Sequence, residues 1–355
     1  MSNGTTRIYA GAGHWVSGAG ERYAGGLFRR HAGDGEWQPL AAGLPENVEA
    51  RAFAVHPNDP DVLYAGTQDG PYRTTDGGAR WERLGFPDRG AVVWSLAFHP
   101  ARPRVMYAGV APVGIYRSED GGDTWVRLPG AKSPGHCEMG FPTRVTRIAV
   151  DPALPDVVYA ALEVSGVIRS TDGGETWTDL SAPLIRLAES PHLRSRIGSD
   201  HDFEGMLDSH ALAVSAAAPG TALLAVRMGL FRTDDRGASW RDMEIGHHSP
   251  LTYCRDIIVS PHDPRVLYAC LSVSSRGDDG SLYRSEDVGR TWRRFDHGVQ
   301  ARATMMAVAA HPRDPARVYC VSRCGQVFGT EDAGISWREY PLPAGVQDVY
   351  SIACA

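Results

Sequence analysis

The stretch RSEDGGDTW, residues 117–125, returns along the chain with small changes. RTTDGGARW ends at Trp81, RSTDGGETW at Trp177, RTDDRGASW at Trp240, RSEDVGRTW at Trp292 and GTEDAGISW at Trp337. A degenerate copy, RRHAGDGEW, ends at Trp37. The seven tryptophans stand 44, 44, 52, 63, 52 and 45 residues apart. The basic unit is therefore 44 residues long, and three units carry insertions. A period of this size marks an architecture in which each unit buries its apolar face on its neighbours.

Working outward, a strand pair precedes each Asp-Gly turn, as in DVLYAGTQDGPYRTT and RVMYAGVAPVGIYRSE. Before it lies a short apolar strand closed by a Pro turn: AFAVHPNDP, SLAFHPARP, RIAVDPALP and DIIVSPHDP. β-Branched and aromatic residues between Gly/Pro punctuation read as short antiparallel strands. Each unit then holds four strands, A (innermost) to D (outermost, starting at the Trp). Seven such units predict an all-β fold, a seven-bladed β-propeller of four-stranded antiparallel blades, with residues 1–355 as one propeller domain. The closing VYSIACA matches the A-strand pattern, and the opening TRIYAGAG matches strand B. The C-terminal strand is expected to complete the N-terminal blade, which removes exposed sheet edges.

The S-x-D-x-G-x-T-W turn resembles the Asp-box, or BNR, repeat of propellers found in sialidases, sortilin-type receptors, xyloglucan-active glycosidases and a photosystem assembly factor. That resemblance implies a propeller over nearly the whole chain. It implies much less about activity, because one scaffold carries unrelated functions. The sialidase pattern is departed from: Arg7-Ile8-Tyr9 lacks the proline of that family's Arg-Ile-Pro, and no Tyr–Glu nucleophile pair can be placed. The box aspartates, Asp76, Asp120, Asp172, Asp234 or Asp235, Asp287 and Asp332, are read as locks of the C–D turns.

Composition narrows the function. A formal charge of −6 argues against a nonspecific nucleic-acid binder, which needs a basic field. At 43% hydrophobic and 22% charged, the chain reads as globular, and no apolar run approaches the ~18 residues of a membrane span. The N-terminal MSNGTTRIYAGAG has neither a basic nor an apolar leader segment, so a cytoplasmic protein is expected. The six cysteines, Cys137, Cys254, Cys270, Cys320, Cys324 and Cys354, form no C-x-x-C pair and read as reduced thiols. No nucleotide or organic cofactor is indicated.

In an antiparallel blade the A–B and C–D turns share one face. His56, His99, His262 and His311 flank prolines there and read as turn residues, as does His31 of the degenerate box. The insertions all fall in D–A and B–C connections, on the other face, where binding residues collect on loops held by a rigid scaffold. These loops carry His14, His136, Cys137, Glu138, His201, Asp202, Glu204, Asp208, His210, His247 and His248. Imidazole with carboxylate suits Zn, Mn, Fe or Cu. His14, His136, His201, His210, His247 and His248 are thus candidate ligands of a divalent transition metal. The alternative is a polar loop packed on its neighbours.

Aligned A-strand starts put Arg51, Trp94, Thr146, His210, Arg255, Met306 and Tyr350 in equivalent places at the funnel mouth. Arg144, Arg147, Arg227 and Arg323 lie nearby. Converging guanidiniums favour a carboxylate, phosphate or sulfate; the alternative pairs each Arg with a neighbouring acid. The expectation is an enzyme on a small polar or anionic ligand or a glycan, a hydrolase or lyase. Glu138, Asp202, Glu204 and His210 are its catalytic candidates. Arg51, Trp94, Arg144, Arg227, Arg255, Arg323 and Tyr350 are its substrate-binding ones. Two alternatives stay open. One is a noncatalytic scaffold for a protein partner. The other is a metal-free glycosidase with carboxyls about 5–10 Å apart, such as Glu138 or Glu163 with Asp202.

Overall fold

The computed structural model describes residues 6–13, 25–33 and 35–355. The strands form seven antiparallel four-stranded sheets, each ordered from an inner to an outer strand. The inner strands are Ala50–Val55, Val92–Phe98, Val145–Val150, Ser209–Val214, Tyr253–Val259 and Met305–Ala310, in blades two to seven. In blade one the inner strand is Val349–Cys354, which pairs with Arg7–Ala12. The chain ends therefore share a sheet, as the sequence predicts, and the ring of blades is closed.

The repeated turn explains why the blades stack. Asp120 accepts from the Ser118 hydroxyl (2.8 Å), the Thr124 N–H (2.9 Å) and the Thr124 hydroxyl (2.6 Å). Ser118 Oγ in turn accepts the Gly122 N–H at 2.8 Å. Gly121 and Gly122 take φ of 81° and 93°, a region that costs glycine little. The carbonyl of Gly121, left pointing outward, accepts from Tyr64 (2.7 Å) and Arg73 (3.1 Å) of the preceding blade. Tyr107 and Arg117 bond Gly173 in the same way, and Tyr9 and Arg29 bond Gly77. Each of these three turns is thus both a lock and a socket for its neighbour. In the shifted copy Asp235 is the box residue, bonded to Thr233 and Ser239, while Asp234 pairs with Arg232.

The longest insertion is not irregular. It folds as helix Ala182–Leu187, a 3-10 turn Pro191–Leu193 and helix Glu204–Leu207. Leu184, Leu193, Met206 and Leu207 are buried in one core with Cys137, Val164 and Phe231. The six cysteines are all free, five of them buried.

Each inner strand carries one β-bulge near its start, where the register against strand B skips a residue. The skipped residues are Arg51, Trp94, Thr146, His210, Arg255, Met306 and Tyr350. A bulge re-aims a side chain out of the alternating pattern. Here it does so seven times and turns one residue per blade into the axis.

Candidate functional site

The seven bulged residues line one cavity on the axis, together with Ser95, Arg147, Asp256 and Ser351 from the step below. Its volume is ≈ 90 Å³, room for a few waters or one small polar group, against the ~300–1,000 Å³ of ordinary ligand sites. Two residues before each bulge stand Glu49, Val92, Arg144, Asp208, Tyr253, Thr304 and Asp348, a second tier at the mouth. Within a blade the two tiers interact. Arg51 pairs with Glu49, and His210 Nε2 lies 3.3 Å from Asp208 Oδ2.

Trp94 anchors one side. The guanidinium carbons of Arg51 and Arg144 lie 4.8 Å and 4.1 Å from its ring centroid, and Tyr350 meets it edge-on at 5.4 Å. Cation–π contact holds both charges in place without neutralising them. Arg144 also pairs with Glu163, whose side chain is only 2% exposed. Burial pushes the Glu163 carboxyl up to about 7, although Arg144 opposes the shift.

On the other side His210 Nδ1 bonds the Cys254 carbonyl at 2.7 Å, so that nitrogen carries the proton. Its Nε2 faces Asp208 and, at 3.3 Å, the Tyr253 hydroxyl. Burial would raise the Asp208 carboxyl, but His210, Arg255 and Arg227 together hold it below the ordinary carboxylate range. Arg227 Nη1 is 3.8 Å from Asp208, and Arg323 pairs with Asp348 at 2.6 Å. The B–C turns deliver these side chains by one recurring bond: Glu163 N–H to Arg144 O, Arg227 N–H to Asp208 O and Arg323 N–H to Thr304 O. Blades four and five thus carry Arg–Glu and Asp–Arg at matching positions, with the signs exchanged.

The structure brings together Arg51, Trp94, Arg144, His210, Arg255 and Tyr350, with Arg227 and Arg323 at the rim. It does not bring the other candidates there. Glu138 is exposed. Asp202 pairs with the exposed Arg196 at 2.6 Å. Glu204 is buried inside the insertion, where it accepts the N–H groups of Ile197 and Gly198. His136 pairs with Asp179 at 2.7 Å, His201 stacks on Phe203 at 4.9 Å, and His247 faces Glu244 at 3.3 Å. His248 ends the short turn Ile245–His247, and His14 lies outside the described residues. The expected metal set is thereby corrected. Among the described residues no three His, Cys, Asp or Glu side chains gather as a metal-binding group, and His210 has both ring nitrogens engaged by protein atoms.

Sequence reasoning missed Glu49, Tyr253 and Asp348 and left Glu163 as an alternative. A signal was present for three of these: the repeat alignment that finds the bulge tier finds Glu49, Tyr253 and Asp348 when shifted back by two.

No family model matches the chain. The oligoxyloglucan-reducing end-specific xyloglucanase of Emericella nidulans is 28% identical over 312 residues, 76% of this chain and 37% of that protein. A xyloglucanase of Hypocrea jecorina is 25% identical over 76% of this chain and 29% of its own length. The solved xyloglucanase of Xanthomonas campestris superposes with a TM-score of 0.63 at 18% identity, over 98% of this chain and 52% of that one. YCF48 from Cyanidioschyzon merolae superposes at 0.59 with 17% identity over 89% of this chain and 92% of its own. The chain spans about a third of the curated xyloglucanases it matches and about half of the solved one. It is similar in sequence to xyloglucanases, glycoside hydrolases acting on glycan, and it shares its propeller fold with them and with YCF48.

Proposed function

We propose that the chain binds and hydrolyses a glycan at the funnel mouth without a metal, and that Arg51 and Arg255 hold a strongly polar or acidic group of it. The observation that carries this reading is the double tier at the mouth, where guanidiniums and carboxyls from several blades meet on one axis. Glycoside hydrolysis needs one carboxyl able to give a proton and a second that stays ionised. Asp208, kept ionised among His210, Arg255 and Arg227, and Glu163, kept protonatable by burial, supply that contrast around one arginine. Similarity to xyloglucanases points the chemistry toward glycosidic bonds.

The test is release of reducing ends from a panel of neutral and uronate-containing polysaccharides, with and without EDTA. Hydrolysis of at least one, unchanged by EDTA and lost in Arg255→Ala and Asp208→Asn proteins that keep their β-sheet spectrum, is expected. A protein that cleaves none of the panel but captures a protein ligand overturns the reading in favour of a noncatalytic scaffold.

A further inference from the structure

A second concavity lies beside the mouth, between the D–A connection at residues 87–91 and the end of strand Met106–Ala111 with Pro112 of the B–C turn, over Tyr116 and Arg127. Its volume is ≈ 650 Å³, the range of a small-molecule site. We propose that this groove is a sugar subsite, which takes a unit of the same glycan whose polar end enters the mouth; the proposal rests on the glycan reading above.

Its walls are fixed. Phe86 packs on Tyr116 (4.4 Å) and Trp125 (5.7 Å), which pins the connection across blade three. The Tyr116 hydroxyl donates to Asp88, and Arg127 lies 3.7 Å from the same carboxylate and 6.0 Å from the Tyr116 ring. The lining is two-sided in chemistry. Pro87, Ala91, Ala111 and Pro112 give apolar surface, and Asp88, Arg89 and Arg127 give exposed charged groups at its edge. A sugar ring presents C–H faces and hydroxyl edges, and such a mixed groove meets both.

The groove is also continuous with the mouth. Val92 and Ala111 face each other in the blade-three ladder, and both pack against the Trp94–Met306–Tyr350 cluster that walls the axial cavity. The axial cavity is too small for a polymer, so an extended ligand bound there must continue over the surface. The groove begins where the Trp94 wall ends.

Calorimetric titration with two oligosaccharide series, one neutral and xyloglucan-derived, the other galacturonate, each from the disaccharide upward, tests the subsite. Wild-type affinity is expected to rise about 10-fold or more from the shortest to the longest binding member. The double variant Arg89→Ala/Arg127→Ala, on exposed side chains, keeps the affinity of the shortest ligand and loses that rise. A rise that persists in the double variant overturns the subsite and leaves the mouth reading intact. Short-ligand affinity unmoved by Arg255→Ala overturns the mouth reading, and absence of binding at every length overturns both.

Discussion

Arg147, on the inner strand of the fourth blade, holds an ion pair with Asp256 on the inner strand of the sixth, past the fifth blade that packs between them. Asp256 also accepts the N–H of Ile257 at 2.9 Å and that of Val308, in the seventh blade, at 3.1 Å. One carboxylate therefore ties three blades just below the bulge tier and forms part of the cavity floor. A ring fold is held mainly by contacts between neighbours, so a tie that skips a blade resists opening of the ring.

Asp256→Asn is expected to lower stability by about 2–3 kcal/mol, because a buried acceptor and its charge partner are both compromised while shape is kept. Arg147 is 36% exposed and can turn to solvent, which keeps the loss below that of a fully buried pair. Denaturant midpoints at constant m-value measure it. A change under half a kcal/mol would show that the pair contributes little.

Glu163 gives stability a pH dependence of unusual sign. Its folded carboxyl titrates at about 7, above the ~4.3 of an unfolded glutamate. Between these values the folded chain holds a proton that the unfolded chain has released. Glu163 therefore subtracts from stability as pH rises from about 4 to 7, and the slope ends above about 7. Glu163→Gln is expected to flatten that segment of a melting-temperature profile. An identical profile in wild type and variant would place the Glu163 carboxyl at an ordinary value.

The fold was legible in the sequence because six copies of one turn report the same local physics, the Asp–Ser/Thr lock ending at a Trp, a degenerate seventh keeps the spacing, and local signals survive in sequence. The mouth tier was legible for the same reason, since alignment of Arg51, Trp94 and their equivalents needs only the repeat. The bulges that aim them inward were not, because a bulge changes register without changing residue type. The insertion misled: SDHDFEGMLDSH, residues 199–210, looked like a ligand set, yet its acids and histidines diverge. Glu204 turns inward to satisfy its own loop, Asp202 turns out to Arg196, and only Asp208 and His210 reach the axis. Which way a loop side chain faces depends on how the loop packs, and residue type alone does not set that.

Glu204 illustrates the structural role. Burial would raise its carboxyl, but bonds from Ser199, Ile197 and Gly198 hold it below the ordinary range. Glu204→Gln keeps one acceptor and weakens two charge-assisted bonds, a loss of about 1–3 kcal/mol local to the insertion. Hydrogen exchange is expected to quicken over residues 182–207 while the blade strands keep their protection. Uniform acceleration across all seven blades would contradict a local lock.

Trp94 is where architecture and ligand binding meet most directly. Its ring sits under the guanidiniums of both Arg51 and Arg144 and against the edge of Tyr350, and its neighbours Val92 and Ala111 lead on to the groove. Trp94→Leu leaves a buried hydrophobe but removes the π surface that fixes two cations, each contact worth about 0.5–2 kcal/mol. The arginines keep Glu49 and Glu163 as partners and lose their common platform, so the cost falls on geometry more than on charge. Glycan affinity at the mouth is expected to drop about 10-fold or more, with a stability loss of about 2–4 kcal/mol for the cavity left behind. Trp94→Phe keeps an aromatic face and is expected to recover most of the affinity at a similar stability cost. Equal affinity loss in the two variants would mean that volume at this position, not the π face, sets the arginines.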